Sequence, residues 1–178
     1  SVPLSLKNYY GSSSNNLTST MKVLDWCREL NIPVVYSSSS AVYGNLPLGN
    51  DEVEKYDIMS PYAQDKLTME DFAKMAYNVY GVSSIGLRLF NVYGPRQEPI
   101  LVISQSVKRV LNGQKPLIYD DGKQTRCFTY VKDAVEATIL ISESESCNGE
   151  IYNIGSDIES TIEKALVTIC SVSGVESS

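Results

Sequence analysis

The sequence predicts an α/β fold, in which a mainly parallel sheet carries helices on both faces. Short continuous apolar runs, which are typical of buried parallel strands, occur at 32–36, 83–89 and 150–154. Segments with helical spacing of apolar residues lie between these runs. An order in which strands alternate with helices is characteristic of parallel sheets, so the three runs are expected to pair side by side.

Each predicted element is bounded by local signals. Residues 1–14 are polar and serine-rich, and we expect a loop there. The most sharply bounded helix covers 61–80, because Ser60 is a good N-cap, Pro61 suits the first turn and Gly81 favours the end. The other expectations, in chain order, are a helix over 16–30, a hydroxyl-rich segment over 37–44, a polar loop to residue 59, a loop over 90–99, a helix over 100–111, a strand over 117–119, a turn over 120–122, a strand over 126–131, a helix over 132–142 and a helix over 161–173 with Ser160 as its N-cap.

The composition excludes several classes of function. The chain has 178 residues, a net charge of −6 and no histidine. The negative charge argues against a general nucleic-acid surface or an anionic membrane surface, and no apolar run is long enough to span a bilayer. The absence of histidine argues against a zinc site and against Ser–His or Cys–His catalysis. The four cysteines, at 27, 127, 147 and 170, show no CxxC pairing, so we expect reduced thiols and a cytoplasmic protein.

The printed sequence also contains no glycine-rich phosphate loop of the GxGxxG or P-loop type, and it does not begin with Met. Two interpretations stay open at this point. Either the protein binds no dinucleotide, or the chain is a piece of something longer.

Tyr62 and Lys66 form the strongest candidate for catalysis. They are spaced i, i+4 on the predicted helix 61–80 and therefore share one face. An ammonium group beside a phenol favours the phenolate, which makes the pair a plausible general acid/base. The alternative is an ordinary surface pair. Two further polar segments, 37–44 and 91–96, follow predicted strands, and the carboxyl ends of parallel strands are where ligands bind.

At this point the chain resembles the extended short-chain dehydrogenase/reductase family, the NAD-dependent sugar-nucleotide epimerases and dehydratases. The resemblance covers nearly the whole chain. The matching pieces, in order, are Tyr9-Tyr10 followed by Asn16, SSSSAVYG (37–44), SPYAQDK (60–66), LRLFNVYGPRQ (87–97), DGKQTRCFTYVKD (121–133) and IYNIG (151–155). It implies an incomplete Rossmann-like parallel sheet with the Tyr-x-x-x-Lys helix in residues 1–98. Residues 99–178 would form mixed strands and part of a small C-terminal substrate-binding region.

The resemblance also implies roles for the site. Tyr62 would take the proton from a sugar hydroxyl, Lys66 would hold the nicotinamide ribose of NAD and favour the phenolate, and Ser39 would bond the reacting hydroxyl. Ser39 could instead be an ordinary loop serine. Further cofactor contacts are implied for Asn16, Ser37 and Ser38.

Four residues would hold the UDP-sugar. Asn91 and Arg126 would contact its diphosphate, and Leu117 and Tyr119 would lie near the base. Leu117 and Tyr119 read equally well as strand core, and Arg96 reads as a structural loop arginine. Members of this kind pair through the Tyr-x-x-x-Lys helix, so a homodimer is a candidate, with the helix residues Met69, Met75 and Tyr77 either at that interface or in the core.

One chemical detail, the absence of a carboxylate from residues 39–41, indicates the subfamily. The 4,6-dehydratases carry Thr-Asp-Glu, and the decarboxylases usually a Glu, where this chain has Ser39, Ser40 and Ala41. Without a carboxylate, the resemblance favours a UDP-sugar 4-epimerase, an isomerase working through a 4-keto sugar. The alternatives are a non-catalytic sugar-nucleotide-binding relic and a reductase or decarboxylase of the same family.

The chain departs from the family pattern in several places. The glycine-rich strand–loop–helix that holds the NAD pyrophosphate in the family has no counterpart in the printed sequence, and the resemblance implies that the family's carboxyl end is cut short. Cys127 stands where Asp is usual and Asp120 where Gly is usual, and the second Asn of the family cannot be placed after Gln97. We therefore expect activity only from a chain that includes the missing segment.

Overall fold

The structure is a computed structural model, and it describes residues 1–46, 55–144 and 148–174. The elements in chain order are α1 (Val2–Lys7), α2 (Tyr9–Leu30), β1 (Val34–Ser39), a 3₁₀ helix (Ser40–Tyr43), α3 (Pro61–Tyr80), β2 (Ser84–Leu89), β3 (Val92–Tyr93), α4 (Val102–Leu111), β4 (Thr125–Cys127), β5 (Thr129–Tyr130), α5 (Val131–Ser142), β6 (Ile151–Ile154), β7 (Glu159–Thr161) and α6 (Ile162–Val172). They fall into two compact units, one made of 1–89 and 135–154 and the other of 90–134 and 155–178.

The first unit is built on a parallel sheet. Its three strands lie in the order β1-β2-β6, and all neighbours are parallel. Val34 pairs with Ser84 at one end of the β1-β2 ladder, and Ser39 pairs with Leu89 at the other. Helix α3 connects β1 to β2 and packs on both strands. The predicted α/β class, with a parallel sheet flanked by helices, is confirmed.

The core of this unit lies where α2 packs on α3. Leu24 and Cys27 of α2 meet Ala73 and Ala76 of α3, and Val82 closes the cluster. The central strand β2 is buried along nearly its whole length, which explains why its sequence is an almost continuous apolar run.

The second unit contains two short ladders and a helix pair. Strand β3 runs parallel to β5, and β4 runs antiparallel to β7. Helices α4 and α6 pack against each other. The ring of Tyr93 lies edge-on to Phe128, with centroids 6.3 Å apart, and 5.6 Å from the ring of Tyr130.

The predicted loop over 1–14 is wrong, because α1 and the first turns of α2 occupy it. Pro3 lies in the first turn of α1, where its missing N–H does no harm, and the Asn8 side chain caps α2 by accepting from the Gly11 N–H. The serine-rich composition favours a loop locally. Helix α1 packs against α3 and Ser5 of α1 is fully buried, and this tertiary packing overrides the local preference for a loop.

Two smaller predictions are also wrong. Residues 117–119 form no strand in the described structure, and Leu117, Ile118 and Tyr119 are exposed there. The N-cap of α6 is Thr161, the last residue of β7, whose hydroxyl accepts from the Lys164 N–H; Ser160 lies inside β7, where it pairs with Arg126.

The helix expected over 16–30 begins earlier, at Tyr9, and the loop expected over 90–99 contains β3. The strand expected over 126–131 is two short strands followed by the start of α5, and the other predicted elements agree with the structure within a few residues. Part of the predicted polar loop, residues 47–54, lies outside the described residues, as does Cys147. The chain passes between the two units at 89/90, 134/135 and 154/155, because α5 and β6 return to the first unit. The functional division at 98/99 stays a prediction.

Candidate active site

The first turn of α3 presents Tyr62, and two serine hydroxyls fix this turn. Ser60 Oγ accepts from the Ala63 N–H at 3.1 Å, which confirms the predicted N-cap. Ser5 Oγ accepts from the Tyr62 N–H, also at 3.1 Å. The first N–H groups of a helix have no partner within the helix, so these bonds hold the backbone at Tyr62 in place.

Lys66 lies one turn further along the same face. Its Nζ donates to the Ser37 carbonyl oxygen at 2.7 Å and lies 5.7 Å from the centre of the Tyr62 ring. Burial lowers the pKa of Lys66, while the nearby carboxylates of Asp65 and Glu70 act in the opposite direction. The structure therefore brings Tyr62 and Lys66 together at the end of β1, as the spacing predicted.

The three serines at the end of β1 have different surroundings because successive side chains of a strand point to opposite faces. Ser37 is exposed, and its main chain receives the Lys66 ammonium. Ser38 is 2% exposed, and its hydroxyl donates to Glu70. The cofactor contacts predicted for Ser37 and Ser38 stay predictions, and the Ser38 hydroxyl is already engaged in the core.

Ser39 is half-buried and caps the 3₁₀ helix. Its Oγ accepts from the Ala41 N–H at 3.2 Å. That bond uses an oxygen lone pair and leaves the hydroxyl hydrogen available for a ligand. Its catalytic role stays a prediction that this geometry permits.

Asn16 joins α2 to the same region. Its Nδ2 donates to Asp65 Oδ2 at 2.8 Å, and Asp65 is buried directly before Lys66 in the sequence. This bond ties α2 to α3 beside the Lys66 position. The predicted cofactor contact of Asn16 is not tested by this geometry and stays a prediction.

The structure also contains a buried ion pair that the sequence reasoning missed. Arg88 of β2 donates from Nε and from one terminal nitrogen to the two carboxylate oxygens of Glu70, at 2.9 and 2.7 Å. Both side chains are almost fully buried, at 2% and 3% exposure. Two signals could have revealed the pair: an arginine inside an apolar strand, and a glutamate at the next i+4 position after Lys66 on the same helix face.

The remaining donors of Arg88 reach two tyrosines. Its other terminal nitrogen donates to Tyr43 Oη at 2.7 Å, and the nitrogen that contacts Glu70 also donates to Tyr56 Oη at 3.1 Å. Tyr43 in turn donates to Asn153 of β6. Burial disfavours the charge on Arg88, but the hydrogen bonds and charge of Glu70 outweigh it and hold the pKa of Arg88 above its ordinary value.

The four predicted substrate contacts lie in the second unit. Asn91 is exposed with a φ of 29°, and its carbonyl oxygen accepts from the Thr129 N–H. Arg126 is an exposed residue of β4 that donates to the carbonyl oxygen of Thr125. Leu117 and Tyr119 are 39% and 58% exposed, so the alternative interpretation of them as strand core is wrong. The substrate contacts themselves stay predictions.

Among the described residues, no helix combines the length and apolarity that a membrane crossing requires. The same part of the chain holds no cluster of three or more cysteine, aspartate or glutamate side chains arranged to bind a metal ion.

Comparison with known proteins identifies the relatives of this chain. It is 40% identical over 158 residues to the UDP-N-acetyl-alpha-D-glucosaminuronate decarboxylase of Bacillus cytotoxicus, which covers 84% of this chain and 49% of that protein. The UDP-N-acetylglucosamine 4-epimerase from Methanobrevibacter ruminantium M1, solved with UDP-N-acetylmuramic acid, matches with a TM-score of 0.92 at 37% identity over 99% of this chain and 58% of that chain.

A third relative was solved with a cofactor. The UDP-glucuronic acid 4-epimerase from Bacillus cereus, in complex with UDP-glucuronic acid and NAD, matches with a TM-score of 0.86 at 30% identity over 92% of this chain and 52% of that chain. The chain thus spans about half the length of the curated relatives it matches. The model of the NAD-dependent epimerase/dehydratase family matches residues 2–155, and the chain therefore belongs to that family of nucleotide-sugar enzymes, whose cofactor is NAD.

Proposed function

We propose that this chain carries the acid/base centre of an NAD-dependent UDP-sugar 4-epimerase. The observation that carries the proposal is the contact of Lys66 Nζ with the Ser37 carbonyl oxygen, which holds the ammonium beside the Tyr62 ring. In this arrangement Tyr62 would take a proton from a sugar hydroxyl and later return it, with the Lys66 ammonium beside its ring. The half-buried Ser39 hydroxyl would donate to the oxygen of the same sugar hydroxyl.

The donor set fits the ribose of a dinucleotide. An ammonium group has three N–H donors, and the Ser37 carbonyl takes one from Lys66, which leaves donors for ribose hydroxyl oxygens. NAD, when bound, would accept the hydrogen of the sugar C4 as hydride and return it to the opposite face. Tyr62 would hold the proton of the 4-hydroxyl meanwhile, and Ser39 would keep the 4-keto oxygen in place.

The residues at the start of the 3₁₀ helix favour epimerisation over elimination of water. Ser39, Ser40 and Ala41 contain no carboxylate, and elimination of water requires an added acid and base. Epimerisation requires one proton acceptor and donor, for which Tyr62 suffices. The relatives that carry the names UDP-N-acetylglucosamine 4-epimerase and UDP-glucuronic acid 4-epimerase support this choice.

Decarboxylation of a UDP-uronate is the second candidate, because a relative 40% identical to this chain is a UDP-N-acetyl-alpha-D-glucosaminuronate decarboxylase. It begins with the same oxidation at C4, so Tyr62 and Lys66 would serve it equally. The products differ: a decarboxylase releases CO₂ from a uronate, and an epimerase keeps the carboxyl group. The sugar itself is therefore best identified by products.

The test uses the gene product that contains these 178 residues, with NAD and with UDP-glucose, UDP-N-acetylglucosamine or UDP-glucuronate. We expect the 4-epimer of one substrate to form. Tyr62→Phe should lower the rate by roughly 10²–10⁴ and leave UDP-sugar binding, measured by calorimetry, nearly unchanged. The control is Tyr80→Phe, at an exposed tyrosine of the same helix.

Three results would contradict the proposal in different ways. A Tyr62→Phe variant with the wild-type rate would show that Tyr62 is not the acid/base. Release of CO₂ from UDP-glucuronate would show that the enzyme is a decarboxylase and not an epimerase. Binding of UDP-sugars without any turnover would indicate a non-catalytic binding module.

A further inference from the structure

Helix α3 touches the end of β1 at two points that lie one helical turn apart. Lys66 Nζ donates to the main chain of Ser37, and Glu70, four residues later, accepts from the hydroxyl of Ser38. The strand residues are consecutive, and the helix residues share one face. Two points of attachment define the rotation of a helix against a strand, whereas a single point would leave the helix free to pivot.

Arg88 holds the second attachment point in place. Its guanidinium binds both oxygens of the Glu70 carboxylate, and both terminal nitrogens also reach tyrosine hydroxyls. A bidentate arginine–carboxylate contact fixes orientation as well as distance. Because Arg88 lies in β2, the central strand, it relates the position of α3 to the sheet itself.

Stability alone does not account for this pair. A buried ion pair is weak evidence for stability, since apolar residues of similar size often serve the fold equally well, while a uniquely defined geometry is one of its attested uses. The pair lies next to the residues that the proposed chemistry needs, with Glu70 one turn from Lys66 and Ser38 between Ser37 and Ser39. Its location indicates a role in geometry.

We propose that Glu70, Arg88 and Ser38 form a positioning unit that sets how α3 presents Lys66 and Tyr62 to the end of β1. This proposal assigns the three side chains no contact with substrate or cofactor, and for Ser38, whose hydroxyl donates to Glu70, it stands in place of the predicted cofactor contact. Their catalytic importance rests on the proposed function, whereas the geometric part concerns this chain alone and can be tested without turnover.

The first test uses Ser38→Ala, which removes one attachment and keeps every charge. The chain is labelled at its lysine side chains and titrated by NMR, with the Lys66 signal assigned by its loss in Lys66→Arg. In the wild type, burial lowers the pKa of Lys66. If the positioning unit is loosened, the ammonium gains water and its pKa should move up toward the ordinary lysine value. Ser84→Ala, at a buried serine of β2 outside the unit, should leave the titration unchanged.

The second test replaces the ion pair by apolar residues in Glu70→Leu/Arg88→Met, which avoids an unpaired buried charge. We expect the variant to fold, with kcat lower by roughly 10–100-fold, because small misplacements of catalytic groups have effects of this size. The KM for the UDP-sugar should stay within about twofold, since none of the substituted residues is proposed to bind it. Thermal unfolding of each variant, including Ser84→Ala, shows whether the fold is retained.

The outcomes separate this inference from the proposed function. A folded Ser38→Ala chain in which Lys66 titrates as in the wild type would overturn the positioning unit, and so would wild-type kcat in the double variant. Unfolding of Ser38→Ala under conditions where Ser84→Ala is folded would make Ser38 a stability residue and would also overturn it. A wild type without turnover would refute the proposed function alone, and the Lys66 titration would still decide the inference.

Discussion

The backbone N–H of Tyr62 donates to the hydroxyl oxygen of Ser5 at 3.1 Å, so α1 holds the first turn of α3. Ser5 is fully buried, and its own hydroxyl hydrogen goes to the Val2 carbonyl oxygen. The hydroxyl thus bonds both helices at once. The backbone position of the candidate catalytic tyrosine thus depends on a residue that is 57 positions away in the sequence.

Replacing Ser5 by alanine should destabilise the chain by about 1–3 kcal/mol, because the part-buried Tyr62 N–H would lose its acceptor. The measurement is the free energy of unfolding in urea. Ser19→Ala is the matched control, since the Ser19 hydroxyl is exposed and bonds only within its own helix. Equal stability of the two variants would show that Ser5 does not hold this turn.

The elements that could be predicted from the sequence are those with local signals. Helix α3 begins and ends where Ser60, Pro61 and Gly81 indicated, because caps act over a few residues. The helix of residues 2–7 could not be predicted in this way, since its stability comes from burial of Ser5 against a distant element. The apolar run at 117–119 resembled a strand, but an apolar run does not reveal whether a partner strand exists.

The candidate site likewise has a part that the sequence predicts and a part that only the fold reveals. Tyr62 and Lys66 are four residues apart on one helix, so helical periodicity alone placed them together. Glu70 and Arg88 are 18 residues apart on a helix and a strand, and only the packing of α3 on the sheet makes them a pair. Sequence spacing therefore found the candidate acid/base pair and missed the groups that hold it.

Lys66 should make the stability of the chain depend on pH. Burial lowers its pKa in the folded chain below the ordinary value of 10.5. Between the two pKa values of Lys66, that of the folded chain and 10.5, the unfolded chain binds more protons than the folded chain. The contribution of Lys66 to the free energy of unfolding therefore rises with pH over this range. Lys66→Met lacks this contribution. The difference in unfolding free energy, variant minus wild type, should therefore fall as the pH rises toward 10.5.

The measurement is urea unfolding of both proteins at a series of pH values, with the slope of the difference as the readout. Lys22→Met, at an exposed lysine of α2, supplies the background from surface lysines. A difference between Lys66→Met and wild type that is constant with pH would show that the amine titrates alike in both states.

The buried thiols should resist modification. Cys27 and Cys127 are 6% and 3% exposed, and burial raises the pKa of both thiols; Glu159 and Asp157 raise that of Cys127 further. Since the thiolate is the nucleophile, iodoacetamide at neutral pH should modify both residues far more slowly in the native chain than in urea. Peptide mass spectrometry reports each cysteine separately. Native labelling of Cys127 at the rate seen in urea would contradict the buried environment.

Asp120 has a φ of 54°, in the left-handed region that favours glycine. Asp tolerates this conformation better than most residues, and its Oδ2 also accepts from Gln124 Nε2 at 3.0 Å. Asp120→Gly should therefore change the free energy of unfolding by no more than about 0.5 kcal/mol, because relief of the backbone offsets the lost bond.

Asp120→Val should instead destabilise the chain by about 1–2 kcal/mol, since the two γ carbons of a β-branched residue add crowding at positive φ that aspartate avoids, and the bond to Gln124 is lost. Urea unfolding of the two variants gives the comparison. Lys123→Val, at an exposed neighbour in the same segment, controls for the general effect of valine there. If Asp120→Val and Lys123→Val were equally stable, the left-handed backbone at residue 120 would impose no measurable cost on a β-branched side chain.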